Sequence, residues 1–254
     1  MYTLRTRFAK DIVSEFLPPA RPTKKQRVII LLDGAPSVPS KKSLIEYLSK
    51  KGFWVFHPRY RGTWESDGKF LQYSLEKDVI DVIDGIHNGF VDLWNNKKMK
   101  LKPDSVYLVG GSFGGPAGIF AASDRRVTKS IVISPMIDWT KPTRIEPIEF
   151  LEKFIATAYG NGYRVDKKGW AKIKSGKFYN PATYNKNIAN YKILFIHAKD
   201  DEICSYAHTK KFAMQIGANL ATVAKGGHFG ASILLKPRFY KLFQNFTKTG
   251  KVKK

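Results

Sequence analysis

Apolar residues in this chain fall into short unbroken runs that alternate with longer stretches of helical periodicity. Thr3–Phe16 predicts a strand or strand pair, broken by Leu17-Pro18-Pro19-Ala20-Arg21-Pro22. Arg27–Leu32 is a continuous apolar run, the pattern of a strand covered on both faces, and it ends in the turn Asp33-Gly34-Ala35-Pro36. Lys42–Lys51 puts Leu44, Ile45 and Leu48 on one helical face and closes at Gly52. Phe53–Phe56 predicts the next strand, leading into the loop His57–Gly62. Tyr73–Trp94 carries Leu75, Val79, Ile80, Val82, Ile83 and Ile86 at helical spacing. Further strands are predicted at Val106–Val109, Lys129–Ser134, Lys192–His197 and Asn219–Val223. Further helices are predicted at Pro116–Ala122, Ile148–Tyr159, Ser205–Ile216 and Ala231–Phe246, with a frayed tail over Thr247–Lys254.

Strands alternating with helices predict an α/β fold, its central sheet mostly parallel with helices on both faces. Ligands of such sheets sit beyond the carboxyl ends of the strands. The alternation lapses between Pro135 and Tyr191, a stretch holding one predicted helix, basic residues around Trp170 and the loop Phe178-Tyr179-Asn180-Pro181. It reads as a short helical cap inserted between two core strands. Its aromatics Phe150, Phe154, Tyr159, Trp170 and Tyr179 are expected mostly to pack the cap onto the rest. The expected organisation is one α/β domain over residues 1–254 with the cap at about 135–191.

Composition narrows the class. A chain of 254 residues, 43% of them hydrophobic, buries a full core in one domain. The single cysteine, Cys204, excludes an intrachain disulfide and fits a reducing compartment. No run approaches the ~18 apolar residues that span a bilayer. The N-terminus lacks a long apolar stretch and meets Asp11 and Glu15 early, unlike a secretory signal. The expectation is a soluble cytoplasmic protein without membrane contact. The net charge of +23 raises nucleic acid as a partner, but the lysines are spread along the chain and no nucleic-acid-binding motif accompanies them. They read as a solvated lysine-rich surface.

The chemistry centres on Gly110-Gly111-Ser112-Phe113-Gly114, between a predicted strand and a predicted helix. This is a G-x-S-x-G nucleophile elbow, in which the serine stands on a strained strand-to-helix turn. Gly110 and Gly114 remove the side chains that would collide there, and the helix N-terminus offers N–H groups to a developing oxyanion. A phosphate-binding loop is the competing reading of a glycine-rich turn. No register here gives G-x-G-x-x-G, and no Lys-Ser/Thr follows as a P-loop requires.

A serine hydroxyl needs a base, and the base needs an acid to orient it. On an elbow of this type the partners follow in the order Ser, Asp or Glu, His. Three histidines lie beyond Ser112. His197 ends a strand and His208 lies within a helix, and both read as structural. His228, in Lys225-Gly226-Gly227-His228-Phe229-Gly230, occupies a glycine-flanked loop between the last strand and the last helix and is the candidate base. The acid belongs on the turn Ala198-Lys199-Asp200-Asp201-Glu202, where spacing alone does not separate Asp200 from Asp201. Metal ligation has no support in the spacing of the histidines and Cys204, and no cofactor is expected.

From about Arg27 to the last helix, the chain resembles the α/β-hydrolases, in the branch of dienelactone-hydrolase-like esterases and the catalytic domains of prolyl-oligopeptidase-type peptidases. Gly110–Gly115 is similar to the peptidase elbow, with its second glycine after G-x-S-x-G. Arg59-Tyr60-Arg61-Gly62-Thr63-Trp64-Glu65-Ser66-Asp67-Gly68 resembles the Y-R-G-x-G-x-S-x-G segment. His197-Ala198-Lys199-Asp200-Asp201 falls on H-G-x-x-D and selects Asp201 as the acid, and Gly227-His228 matches the catalytic Gly-His. The resemblance implies an α/β-hydrolase fold, a Ser112–His228–Asp201 triad, and an oxyanion hole made by the backbone N–H groups of Phe113 and Ala35.

The chain departs from the family where its His-Gly turn is Asp33-Gly34, which sets an acid beside the hole, and where Ala198 replaces glycine after His197. No β-propeller is expected before the domain, and no amine-recognition element is visible in the residues. The expected activity is therefore hydrolysis of carboxylic esters or thioesters of small molecules through an acyl-enzyme. An aminopeptidase or acyl-peptide hydrolase acting on short acyl or peptidyl substrates with the same triad is the first alternative. The second is a catalytically inactive basic binding module.

Overall fold

The computed structural model describes residues 2–252 except 142, 144 and 185–187. The chain runs through β1 (Leu4–Phe8), β2 (Ile12–Leu17), β3 (Arg27–Leu32), α1 (Lys42–Lys50), β4 (Trp54–Pro58) and α2 (Glu76–Asn88). It continues through β5 (Phe90–Asp92), β6 (Lys97–Met99), β7 (Ser105–Gly111), α3 (Gly115–Ala121) and β8 (Val127–Ile133). Then come α4 (Ile148–Ala158), α5 (Lys167–Lys174), β9 (Ile193–Ala198), α6 (Tyr206–Ile216), β10 (Asn219–Val223) and α7 (Pro237–Thr249).

Eight strands form one sheet in the order β1-β2-β4-β3-β7-β8-β9-β10. The pairs β1–β2 and β2–β4 are antiparallel, and all other neighbours are parallel. The unbroken apolar runs follow from burial on both faces. Successive side chains of β3 alternate, with Ile30 and Leu32 joining α2, α3 and α6 in one core and Ile29 and Leu31 joining α1 and α7 in the other. The sequence thus folds as expected, as an α/β sheet, mostly parallel, with helices on both faces.

Local differences have local causes. The apolar periodicity continues past α2, but Gly89 at φ 119° ends the helix, and residues 90–99 form the hairpin β5–β6. The predicted Ala231–Phe246 helix is split. Ala231–Leu235 is a 3₁₀ turn and α7 starts at Pro237, which lacks an N–H and is accommodated only in a first turn. The predicted frayed tail is helical as far as Thr249, and its last two residues lie outside the described ones.

Among the described residues, the chain between β8 and β9 forms two α-helices rather than one. The basic stretch around Trp170 is α5, capped by Asp166, whose side chain accepts from Gly169 N–H at 2.9 Å, while Trp170 and Ile173 are buried. Tyr179 packs inward as expected, but Phe150 and Phe154 stack on each other at the surface, with ring centroids 5.6 Å apart. Two tyrosines tie this segment to the sheet's carboxyl edge. Tyr179 Oη donates to Phe113 O (2.7 Å) and accepts from Ala117 N–H (3.0 Å), and Tyr163 Oη accepts from Ser37 N–H (2.8 Å).

Candidate active site

β7 ends at Gly111, and a single 3₁₀ turn, Ser112–Gly114, leads into α3. Ser112 has φ 51°, in the left-handed region, where a non-glycine residue costs about 1–3 kcal/mol and persists only because its surroundings impose it. The flanking glycines show how tightly they impose it. A β-carbon on Gly110 would lie 2.7 Å from Gly114 O, and one on Gly114 would overlap the carbonyl of Asp33. Gly34 is equally close to the serine, since a β-carbon there would lie 3.2 Å from Ser112 Cβ. The turns after β3 and β7 are therefore packed backbone to backbone, with Ala35 and Phe113 beside Ser112 on one cavity of about 320 Å³. Trp139, Leu151 and Ile203 supply much of its apolar wall.

His228 sits on the loop after β10, which is held from three sides. Asp200 accepts from Gly226 N–H (2.9 Å) and Gly227 N–H (2.9 Å), and Ser134 Oγ, at the end of β8, accepts from Phe229 N–H (3.2 Å). A β-carbon on Gly111 would lie 3.5 Å from Gly230 Cα, so the same loop rests on the elbow. His228 Nδ1 is 2.9 Å from Asp201 Oδ2 and 3.1 Å from Oδ1. A carboxylate only accepts, so Nδ1 carries the proton and the neutral ring presents Nε2 as an acceptor. The two aspartates that spacing left equivalent are thus divided: Asp201 faces the imidazole, and Asp200 holds the backbone that carries it.

Asp201 is buried, which pushes its pKa up. Hydrogen bonds from His197, His228 and Cys204 N–H outweigh that and hold it well below the usual carboxylate range. The thiol of Cys204, which also lines the cavity, adjoins the Ser112 hydroxyl and is raised by burial and by the Asp201 charge. Among the described residues, Ser112 Oγ makes no hydrogen bond to His228; catalytic contacts of this kind tighten when substrate enters.

Asp33, the family departure beside the predicted hole, does not face the cavity as a bare charge. Its Oδ1 meets Lys41 Nζ at 3.1 Å and its Oδ2 meets His57 Nε2 at 2.8 Å. Arg59 donates to His57 Nδ1 at 2.8 Å and pairs with Glu15 at 3.2 Å. Sequence reasoning passed over this cluster, over Ser134 and over the cavity position of Cys204. The available signal was His57-Pro58-Arg59, charge and imidazole closing an otherwise apolar strand.

Comparison with known proteins assigns the chain to a family. The family model described as "Prolyl oligopeptidase family" matches residues 39–249. The chain belongs to the prolyl oligopeptidase family. That family is one of serine hydrolases. Similar solved structures share the α/β-hydrolase fold. Pyrococcus horikoshii acylaminoacyl peptidase is 16% identical with a TM-score of 0.64, covering 100% of this chain and 43% of that one. The chain thus spans less than half of that peptidase's length. A Pyrococcus furiosus esterase is 15% identical with a TM-score of 0.65, covering 97% of this chain and 89% of its own. Mouse alpha/beta hydrolase domain-containing protein 10 is 18% identical with a TM-score of 0.63, covering 96% and 100%. No curated protein matches the chain in sequence. Among the described residues no helix is long and apolar enough to cross a membrane.

Proposed function

We propose that this member of the prolyl oligopeptidase family hydrolyses carboxylic esters or thioesters of small molecules, with Ser112 as nucleophile, His228 as base and Asp201 as orienting acid. The observation that carries the reading is the 2.9 Å contact of His228 Nδ1 with the buried Asp201 carboxylate, in a loop packed against a strained serine elbow. His228 Nε2 takes the Ser112 proton as Oγ bonds to the substrate carbonyl carbon. The N–H groups of Phe113 and Ala35 receive the oxyanion, and Asp201 stabilises the imidazolium. The C–O or C–S bond then breaks, with the leaving group taking the proton from His228. A water activated by the same imidazole adds to the acyl-enzyme, and the acid leaves as Ser112 regains its proton.

A cavity of about 320 Å³ with an apolar wall suits a small acyl group, and the Pyrococcus furiosus esterase, matched along most of both chains, supports ester substrates. A second reading, an aminopeptidase or acyl-peptide hydrolase, is favoured by the family itself and by Glu146 and Glu149 on the cavity's lining, where a substrate ammonium would be accommodated. The organisation proposed is one α/β domain with about residues 135–191 as its cap, supported by β8 and β9 lying side by side in the sheet. A cytoplasmic location is supported by the free, buried Cys204.

The test is labelling with a fluorophosphonate probe, wild type against Ser112→Ala, with the modified peptide located by mass spectrometry. Labelling is expected on Ser112 alone, and ester turnover is expected to fall by about 10⁴-fold or more in the variant. Full turnover in Ser112→Ala would end the assignment. Relative kcat/KM on acyl esters and aminoacyl amides separates the two substrate readings.

A further inference from the structure

Asp201 is approached by a second histidine, which the functional reading leaves unused. His197, on β9, is fully buried, and its Nε2 lies 3.0 Å from Asp201 Oδ2 and 2.9 Å from Cys204 O. Its Nδ1 lies 2.9 Å from Thr209 Oγ1 on α6. Both neighbours of Nε2 only accept, so Nε2 carries the proton, and a neutral ring takes the Thr209 hydroxyl proton at Nδ1. The acceptors Asp201 and Cys204 O select the tautomer that donates toward the acid, and the Thr209 hydroxyl holds the ring at its other nitrogen. One N–H is shared between the Asp201 carboxylate and the carbonyl of Cys204, the residue that brings the same turn to the cavity.

The two carboxylate oxygens are gripped differently. Oδ1 lies 3.1 Å from His228 Nδ1 and accepts from the backbone N–H groups of Ile203 (3.0 Å) and Cys204 (2.9 Å), which the turn itself supplies. Oδ2 has no such backbone anchor among the described residues and is held by His197 and His228 alone. The terminal torsion of an aspartate is broad, so a carboxylate held on Oδ2 only by the base would follow each movement of that base. His228 is the group that changes charge and partners during turnover, whereas His197 is sealed in the core.

We infer that His197 is a positioning residue for the acid–base pair. Its Nε2–H fixes the rotation of the Asp201 carboxylate independently of the state of His228, and Thr209 holds the ring in the orientation that lets it do so. The inference rests on the roles proposed above for Asp201 and His228. Among the described residues, the titratable and charged groups around the pair are His197 on β9, Tyr206 on α6, whose ring packs edge-on against His197 with centroids 5.9 Å apart, Asp200 and Cys204 on the turn, Lys225 on the base loop and Glu146 from the cap. Of these, His197 is the one besides His228 whose side chain donates to Asp201.

The experiment measures kcat and KM from pH 5 to 9 on an acyl ester for wild type, His197→Leu, His197→Gln and Thr209→Val, with fluorophosphonate labelling of wild type alongside. His197→Leu is expected to lower kcat about 10- to 100-fold, the scale of one hydrogen bond to a charged group, with KM little changed. With one donor fewer on Asp201, more of its charge acts on His228, so the acid limb of kcat/KM is expected to rise by about half a unit. His197→Gln keeps an N–H donor at the Nε2 position and is expected to stay within about threefold of wild type with the limb unmoved. A folded His197→Leu protein with wild-type kcat and pH profile overturns the inference, as does a Gln variant as impaired as Leu. Should His197→Leu not fold, Thr209→Val decides. A fall in kcat with the limb moved up supports the inference, and an unchanged profile overturns it. Wild-type protein that neither labels on Ser112 nor turns over esters overturns the functional reading and this inference together; a labelled wild type with unmoved variants overturns this inference alone.

Discussion

At the end of β9 the turn residue Asp201 holds His228 Nδ1 at 2.9 Å, and at the end of β3 the turn residue Asp33 holds His57 Nε2 at 2.8 Å. Both are buried aspartates paired with an imidazole at the same edge of the sheet, and both turns adjoin Ser112. The pairs differ in what becomes of the second ring nitrogen. Arg59 meets His57 Nδ1 at 2.8 Å, so both nitrogens of that ring are committed and the ring is shut away in the core. The His228 side chain is 21% exposed, and among the described residues its Nε2 has no hydrogen-bond partner. An acid–histidine pair is thus no mark of a base. The uncommitted nitrogen is, and it separates a group poised to accept a proton from one that cements a charged cluster.

The largest expected effect breaks the comparison on the catalytic side. His228→Gln is expected to lower ester kcat by about 10⁴- to 10⁶-fold. Asp201→Asn, which turns an amide N–H toward the Nδ1 that must donate, is expected to lower it about 10⁴-fold. Neither variant should lose fluorescence-monitored folding. His57→Gln should behave in the opposite sense, reducing stability while the folded fraction keeps most of its turnover. A His57 variant as inactive as His228→Gln, at full stability, would mean that the base has been assigned to the wrong pair.

The next effect concerns the charged cluster. Burial pushes Glu15 up, but His57 and Arg59 outweigh it and bring it down to about 2. Burial likewise acts against Asp33, and His57 with Lys41 holds it well below the usual range. Both acids are more acidic folded than unfolded, so their contribution is fully present above the ordinary carboxylate range. It is lost as pH falls from about 4.5 toward 2. Arg59→Met leaves Glu15 and the Asp33–His57 pair partly uncompensated and is expected to cost about 3–5 kcal/mol at pH 7. It should also flatten the dependence of stability on pH between about 4.5 and 2, measured by urea unfolding at each pH. An unchanged slope would show that the cluster is not held by its charges.

Much of this was legible in the residues. The elbow, its glycines, the candidate base and the alternation of strands and helices are local patterns, each set by neighbours within a few positions. His197 and His57 show where such reading stops. Each sits at the end of an apolar strand, and although Arg59 beside His57 signals a charged cluster, no neighbour in sequence names the partner of either ring. Whether a ring is filler or partner depends on Asp201 and Thr209 in one case, and on Asp33, on the turn after the next-door strand, with Arg59 in the other. Helix ends failed for a related reason. Gly89 and Pro237 stop and start helices by backbone geometry, while the apolar periodicity runs on across them.

Asp200 gives the finest division, because spacing left it equal to Asp201. Its carboxylate is exposed, and it accepts from Gly226 and Gly227 N–H, which hold it below the ordinary aspartate range. It acts on the path of the loop, whereas Asp201 acts on the ring. Asp200→Ala hands the two N–H groups to water and lets His228 wander by a fraction of its reach, for an expected fall in kcat of about 3- to 10-fold. Asp200→Asn, which retains one accepting oxygen, should lie between that and wild type. Amide exchange at Gly226 and Gly227 should quicken in the same order, since the lost protection and the lost rate have one cause. If Asp200→Ala abolished turnover as thoroughly as Asp201→Asn, the acid would have been placed one residue too late, and the bond from Asp201 to His228 would be a packing contact.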